Sequence, residues 1–223
     1  MDLTFIRHPR ESGDPASSFA SAQGWTPSFA GVRAKAAVAL AAALALSGCI
    51  SFGAKPPARL LTLTPAQSVA VGTTNSVGAG EAITVLWPTL PADLNTNRVP
   101  VQASPTTVAY VKDAQWTETP NRLFARLLGE VIEARTGRPV LSGRQFAVDP
   151  GARVTGQLLR FGIDAPSNSA VVTFDAVVAR GADVRTKRFE AKVPVSDIKA
   201  EPVGAALNQA ANQVAAEVAD WVK

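Results

Sequence analysis

Eleven uninterrupted apolar residues, Ala36 to Leu46 (AAVALAAALAL), run directly into Ser47-Gly48-Cys49, and Cys49 is the only cysteine of the 223-residue chain. No other feature constrains the chain so sharply. As a helix the run would rise only about 16 Å, and a bilayer span needs ~20 apolar residues. Arg33 and Lys35 precede it. A basic flank, a short apolar run and small residues at its end have the order of a secretory leader. Such a leader is removed on export, so the folded body is expected to begin after Cys49.

Leu46-Ser47-Gly48-Cys49 resembles the lipobox of bacterial lipoproteins: an aliphatic residue, two small residues, then cysteine. The resemblance implies a diacylglyceryl group on the Cys49 thiol and cleavage just before it, which frees an amine for further acylation. Two or three acyl chains, at ~0.8 kcal/mol per buried methylene, hold a protein on a membrane where one does not. Ile50 follows, not Asp, and among lipoproteins that implies transfer to the outer membrane, facing the periplasm. Residues 1–31 fit no leader. Arg7 to Pro15 lacks hydrophobic periodicity and resembles the translation of a dispersed intergenic repeat. This stretch is expected to lie upstream of the functional start, with Val32 as initiator. The expected organisation is then signal peptide 32–48, lipidated tether 49–58 and periplasmic domain 59–223.

His8 and Met1 are the chain's only histidine and methionine, so nothing after Cys49 is His, Cys or Met. That removes zinc and iron–sulfur sites, disulfides and most nucleophile–base pairs from the body. No metal and no cofactor is expected. From Cys49 onward 18 basic residues face 15 acidic ones, too even a balance for nucleic acid, which needs clustered Lys and Arg. The one local cluster, Arg185, Lys187 and Arg188, reads as a solvated strand face. The Gly-rich stretch Val69 to Gly80 matches no phosphate-binding spacing and has no Lys after it, so it reads as a loop. Glu130 and Glu133 sit three apart on a helix and read as facing water rather than as a catalytic pair.

The remaining pattern reads as α+β, a twisted, mostly antiparallel sheet with two amphipathic helices packed on one face. Arg59 to Leu63 and Ala82 to Trp87 read as strands. Arg98 to Val101 and Thr106 to Val111 read as two more, around a Ser104-Pro105 turn. A helix is expected from the Thr119 cap and Pro120 to the Gly137 stop. Leu123, Phe124, Leu127, Leu128, Val131 and Ile132 form its apolar stripe. Ala152 to Ile163, Ala170 to Val178 and Arg188 to Val193 alternate as an antiparallel meander. A second, Ala-rich helix spans about Pro202 to Trp221. Trp87 and Trp116 read first as packing residues. They form, with Tyr110, the candidate partner surface, and for Tyr110 packing and interface stay equally open.

The order of elements carries a further resemblance. A lipobox is followed by Leu63-Thr64-Pro65, Ile83-Thr84-Val85 with Pro88, Asn97-Arg98-Val99-Pro100, and Tyr110 through Trp116 running into a helix, three strands and a closing Ala-rich helix. From about residue 49 to 222 this is similar to the auxiliary lipoproteins of ABC-type transporters, such as the paraquat-inducible lipoprotein that works with an MCE-domain protein. The resemblance implies a non-enzymatic role: an accessory that docks the periplasmic end of an MCE-type lipid conduit at the outer membrane. The permease and ATPase would be separate inner-membrane chains. It also admits a homo-oligomeric ring around the conduit. The alternative is another envelope lipoprotein acting as an outer-membrane assembly or scaffold factor. An enzyme would have to work without His. Tyr110 and Asp113 lie close together in sequence but lack a third partner at a recognisable spacing.

Overall fold

The two-residue period of a strand places Ala170, Val172, Phe174, Ala176 and Val178 on one side of the segment 170–178, and all five are buried, with Val171 and Thr173 buried on the other side. In a computed structural model that describes residues 59–78, 80–142 and 151–223, this strand is β6 of a seven-stranded sheet. The elements are β1 (Ile83–Val85), β2 (Arg98–Ser104), β3 (Thr107–Gln115), α1 (Pro120–Thr136), β4 (Val140–Ser142), β5 (Ala152–Asp164), β6 (Ser169–Arg180), β7 (Asp183–Pro194) and α2 (Ala200–Val222). The class is α+β, as the pattern implies.

The meander β5–β6–β7 is antiparallel throughout, with Leu158 opposite Phe174 and Phe174 opposite Phe189. The register between β5 and β6 slips between Leu158 and Arg160. One extra residue there restarts the alternation, so Leu158 and Phe161 both reach the core. Gly156 marks the tightest approach in this pair. Its φ is +151°, and a Cβ there would stand 1.9 Å from the carbonyl oxygen of Asp175 on β6.

The other edge of β5 is shared. Its first residues pair in parallel with β1 (Ile83 with Ala152, Val85 with Val154) and its last with β2 (Val101 with Ile163, Gln102 with Asp164). β4 adds in parallel to β1, and β3 closes β2 as an antiparallel hairpin. The sheet is therefore mixed, antiparallel over its longest pairings. β4 has no counterpart in the pattern reading, and Arg59 to Leu63 contributes a single parallel bridge, Leu61 to Trp116, rather than a strand.

Both helices cover the same face. At the start of α1, Thr119 is extended and Pro120 takes the first turn. At its end Gly137 is left-handed (φ 68°), its N–H donating to the Glu133 carbonyl. The whole predicted stripe is buried, and Phe124 meets Phe174 edge-on at 5.1 Å between ring centres. α2 buries Val203, Leu207, Val214 and Val218 among Ala206, Ala210, Ala211, Ala215 and Ala219. Small side chains at the contact shorten the distance between packed elements. Arg135, near the end of α1, forks onto Asp220, near the end of α2, at 2.6 and 3.3 Å. The two helices thus end together. No described helix is long and apolar enough to cross a membrane.

Gly156→Ala should cost about 3 kcal/mol, because the new methyl meets backbone that cannot yield. Gly181→Ala, at φ +57° with open space around it, should cost about 1 kcal/mol. Urea unfolding of the two variants checks the order, with the midpoint lowered and the slope unchanged.

Candidate functional site

The lipobox residues Leu46, Ser47, Gly48 and Cys49 lie outside the described residues. The first described residues are tied into the domain by backbone hydrogen bonds. The Leu61 N–H donates to the Gln115 carbonyl at 2.7 Å, and the Thr117 N–H returns to the Leu61 carbonyl at 2.9 Å. The chain then lies along α2. The Thr64 N–H donates to Asn208 Oδ1 at 2.8 Å, and the Ala66 N–H to Asn212 Oδ1 at 2.7 Å. Asn212 Nδ2 donates to the Thr64 carbonyl at 2.9 Å. Its side-chain amide thus does for residues 64 and 66 what a neighbouring strand would do.

Leu61 to Gln67 is therefore a strap, seated on α2 by three residues at four-residue spacing. Gly204 leaves room for Leu61, whose Cδ2 would stand 2.8 Å from any Cβ at that position. Asn208 and Asn212 follow one and two turns on. Arg135 Nη1 reaches Gln67 Oε1 at 3.3 Å and so ties the strap to α1 as well. Periodicity alone does not reveal this role. The available signal is two asparagines, poor helix formers, on the face of an otherwise Ala-rich helix.

The three candidate aromatics fall in separate places. Trp116 is 1% exposed and packs on Phe161 with ring centres 5.3 Å apart and planes tilted by 55°, so its ring is core and offers no docking surface. Among the described residues its buried Nε1 finds no acceptor. Trp87 is 49% exposed, with the Arg122 guanidinium 4.6 Å from its ring centre. Tyr110, on β3, is half-buried under Arg98 at 4.0 Å. An arginine over each exposed ring keeps it amphipathic. Asp113, close to Tyr110 in sequence, sits exposed in a bulge with φ +56°.

Two depressions accompany these elements. A cleft of about 370 Å³ lies between α1 and the β1–β4 pair, floored by Val85, Ala125, Gly129 and Val140 and rimmed by Trp87 and Arg122. A groove of about 510 Å³ runs beside the strap, between Ala66, Val131, Arg135, Asn212 and Ala216. Among the described residues no group of three His, Cys, Asp or Glu could hold a metal ion.

The basic cluster on β7 is occupied within the fold. Arg188 forks onto Asp175 at 2.6 and 2.7 Å, Arg185 covers the Trp221 ring, and Lys187 covers Phe189. The Arg188 bond holds the Asp175 carboxyl below its usual range. The Thr173 hydroxyl, then Lys192, does the same for Glu190, and Ser167, then Arg160, for Asp164. Asp220 is lowered by Arg135 and Lys223.

Asn212→Ala should loosen the strap beyond Thr64 with little effect on the core. The amide proton of Ala66, which loses its acceptor, should exchange faster than that of Thr64, which keeps Asn208 Oδ1, and stability should fall by about 1–2 kcal/mol. Carboxylates lowered in the fold stabilise it at pH above their unfolded values near 4. That stability disappears as the pH drops through the lowered values. A flat stability profile above about pH 5 with a decline below about pH 4 is expected, and Asp175→Asn should make the decline shallower. Denaturation midpoints measured across that range check both.

Residues 61–219 match the family model described as the ABC-type transport auxiliary lipoprotein component. Among curated proteins no sequence matches. Among solved structures the fold is similar to that of protein XCC0632 from Xanthomonas campestris, with a TM-score of 0.61 and 18% identity over 74% of this chain and 94% of that one. It is also similar to the crystal structure of an uncharacterized protein, with a TM-score of 0.58 and 14% identity over 65% of this chain and 94% of the other. At those identities the two structures speak for the fold, and the family match speaks for the lineage. It begins at the first residue of the strap and ends in the last turn of α2, so it spans the described domain: this chain belongs to the family of ABC-type transport auxiliary lipoprotein components.

Proposed function

We propose that the protein is the lipid-anchored accessory of an MCE-type ABC lipid transport system. Acylated Cys49 holds it on the periplasmic face of the outer membrane. There it docks the periplasmic end of a conduit built by an MCE-domain protein, while a permease and an ATPase in the inner membrane supply transport. The observation that carries this reading is a family match to transport auxiliary lipoproteins over residues 61–219, preceded in the same chain by Leu46-Ser47-Gly48-Cys49.

The physical arrangement supports it. A docking accessory needs a firm link between anchor and body, and the strap supplies one: two backbone bonds to the end of β3 and its continuation, and the asparagine contacts with α2. It also needs surface rather than reactive groups, and the body carries neither His nor Cys. Its exposed Trp87 and half-buried Tyr110 each carry an arginine over the ring, and aromatic and arginine side chains of this kind are suited to contact with another chain.

Cys49→Ala tests the anchor. The variant should stay folded, lose its acyl mass and leave the outer-membrane fraction, because the domain lies wholly beyond that residue. Wild-type protein should bring down an MCE-domain protein and a permease from solubilised envelopes. Retention of the variant in the membrane fraction would argue against the anchor, and absence of both partners would argue against the transport role.

A further inference from the structure

Two features meet at one end of the domain. The first is the path of the entering chain. Leu61 bridges Trp116 in parallel with β3, and from Leu61 onward the strap runs toward the C-terminus of α2. Traced backward, the chain leaves the domain toward the N-terminus of α2, past Leu60, which is 51% exposed. The second is the β2–β3 hairpin. β2 pairs with β5 only at Val101 and Gln102, where β5 ends, so Ala103 to Thr107 project beyond the sheet. The turn joining β5 to β6 lies at this same end, as does the approach to α2, for the Val195 N–H bonds to the Asn168 carbonyl.

The hairpin differs in charge from β7. No residue from Val99 to Val111 carries a charge, whereas Asp183–Pro194, an outer strand of similar length, alternates Arg, Lys, Glu and Asp along its exposed positions. Ala103, Pro105, Thr106, Thr107, Val108 and Ala109 are exposed. The turn satisfies its own polar groups: Gln102 Nε2 donates to the Ser104 carbonyl at 2.6 Å, and the Thr106 N–H reaches Ser104 Oγ at 3.4 Å. Charge returns only at the base, where Arg98 lies over Tyr110 and Lys112 is exposed. An uncharged tip, an amphipathic ring above it and cations at the base follow the order of a surface that meets a membrane interface.

We propose that the β2–β3 hairpin rests on the lipid leaflet that holds acylated Cys49, so that the tether and the hairpin together set the orientation of the domain. This rests on the anchor proposed above. Ten residues separate Cys49 from Arg59, a reach of at most about 35 Å, so the anchor keeps this end of the domain near the leaflet. β3 is the outer strand of its sheet, and its free backbone groups need water or phosphate. The contact is therefore at headgroup depth and does not enter the hydrocarbon. Arg98 and Lys112, farther back along the hairpin, then face the anionic headgroups from the water side.

The chain's single Cys makes the test direct. Once Cys49 is acylated, an introduced cysteine is the only free thiol. Full-length, acylated Val108→Cys protein is labelled with an environment-sensitive fluorophore and reconstituted in vesicles of phosphatidylethanolamine and phosphatidylglycerol, a fraction of them spin-labelled near the headgroup. Val184→Cys, at the opposite end of the sheet and 62% exposed, serves as the reference, and Thr106→Cys as a second probe of the tip. Label at 108 and 106 should shift to the blue and lose most of its emission to the spin label, while label at 184 stays bright. Intact mass reports acylation separately. An acylated chain with equal quenching at all three positions overturns the role of the hairpin and leaves the anchor standing. A blue shift at 108 and 106 only after a partner protein is added, without lipid quenching, assigns the hairpin to that partner and likewise overturns the proposal. An unacylated chain removes the anchor and this inference together.

Discussion

β5 is hydrogen-bonded along both of its edges, and the other strands take their positions from that fact. One edge runs the full length of β6. The other is divided between β1 at its start and β2 at its end, with Thr89 bridging to Gln157 between them. Two partners can share one edge because β5 is long, thirteen residues against a common strand length of about five or six. The extra residue near Leu159 keeps apolar side chains on the helix side along that length. Without it, Phe161 and Ile163 would turn to solvent and the core beneath Trp116 would be lost.

The covered face and the open face obey different rules. Under the helices the contacts are apolar, with Phe124 on Phe174 and Trp116 on Phe161. On the open face the strands carry cross-strand pairs of charge and hydroxyl: Arg188 on Asp175 and Thr173 on Glu190. Such exposed pairs contribute little each to stability, but they occupy the side chains that would otherwise form a free basic patch. The apparent Arg–Lys–Arg cluster on β7 is in fact divided between the faces: Arg188 pairs with Asp175 on the open side, while Arg185 and Lys187 cover Trp221 and Phe189 on the helix side.

Local patterns were legible because they are local. Alternation along 170–178 and the three–four spacing from Leu123 to Ile132 each report one face of one element, and both faces are buried as read. Pairings between distant segments left no such trace. β4 is three residues long and joins β1 in parallel across more than fifty positions, with no turn chemistry to announce it. The strap was readable as a short apolar stretch, but its partners are side-chain amides on a helix about 145 residues away. Trp116 and Trp87 looked alike in sequence. Only the third dimension separates a ring packed on Phe161 from one held at the surface beneath an arginine. The run Leu46-Ser47-Gly48-Cys49 stands apart from all of this, because the acylation proposed for it would depend on a contiguous run of residues and not on the fold.

The strap also has a mechanical meaning. Its hydrogen bonds at Leu61, Thr64 and Ala66 lie across the chain direction, and its two supports, the end of β3 and the face of α2, belong to the same core. A pull along the strap from Arg59 loads these contacts in shear, sharing the tension among them, whereas a pull at right angles would peel them apart singly. Tension along the strap is thus divided among several contacts instead of falling on one.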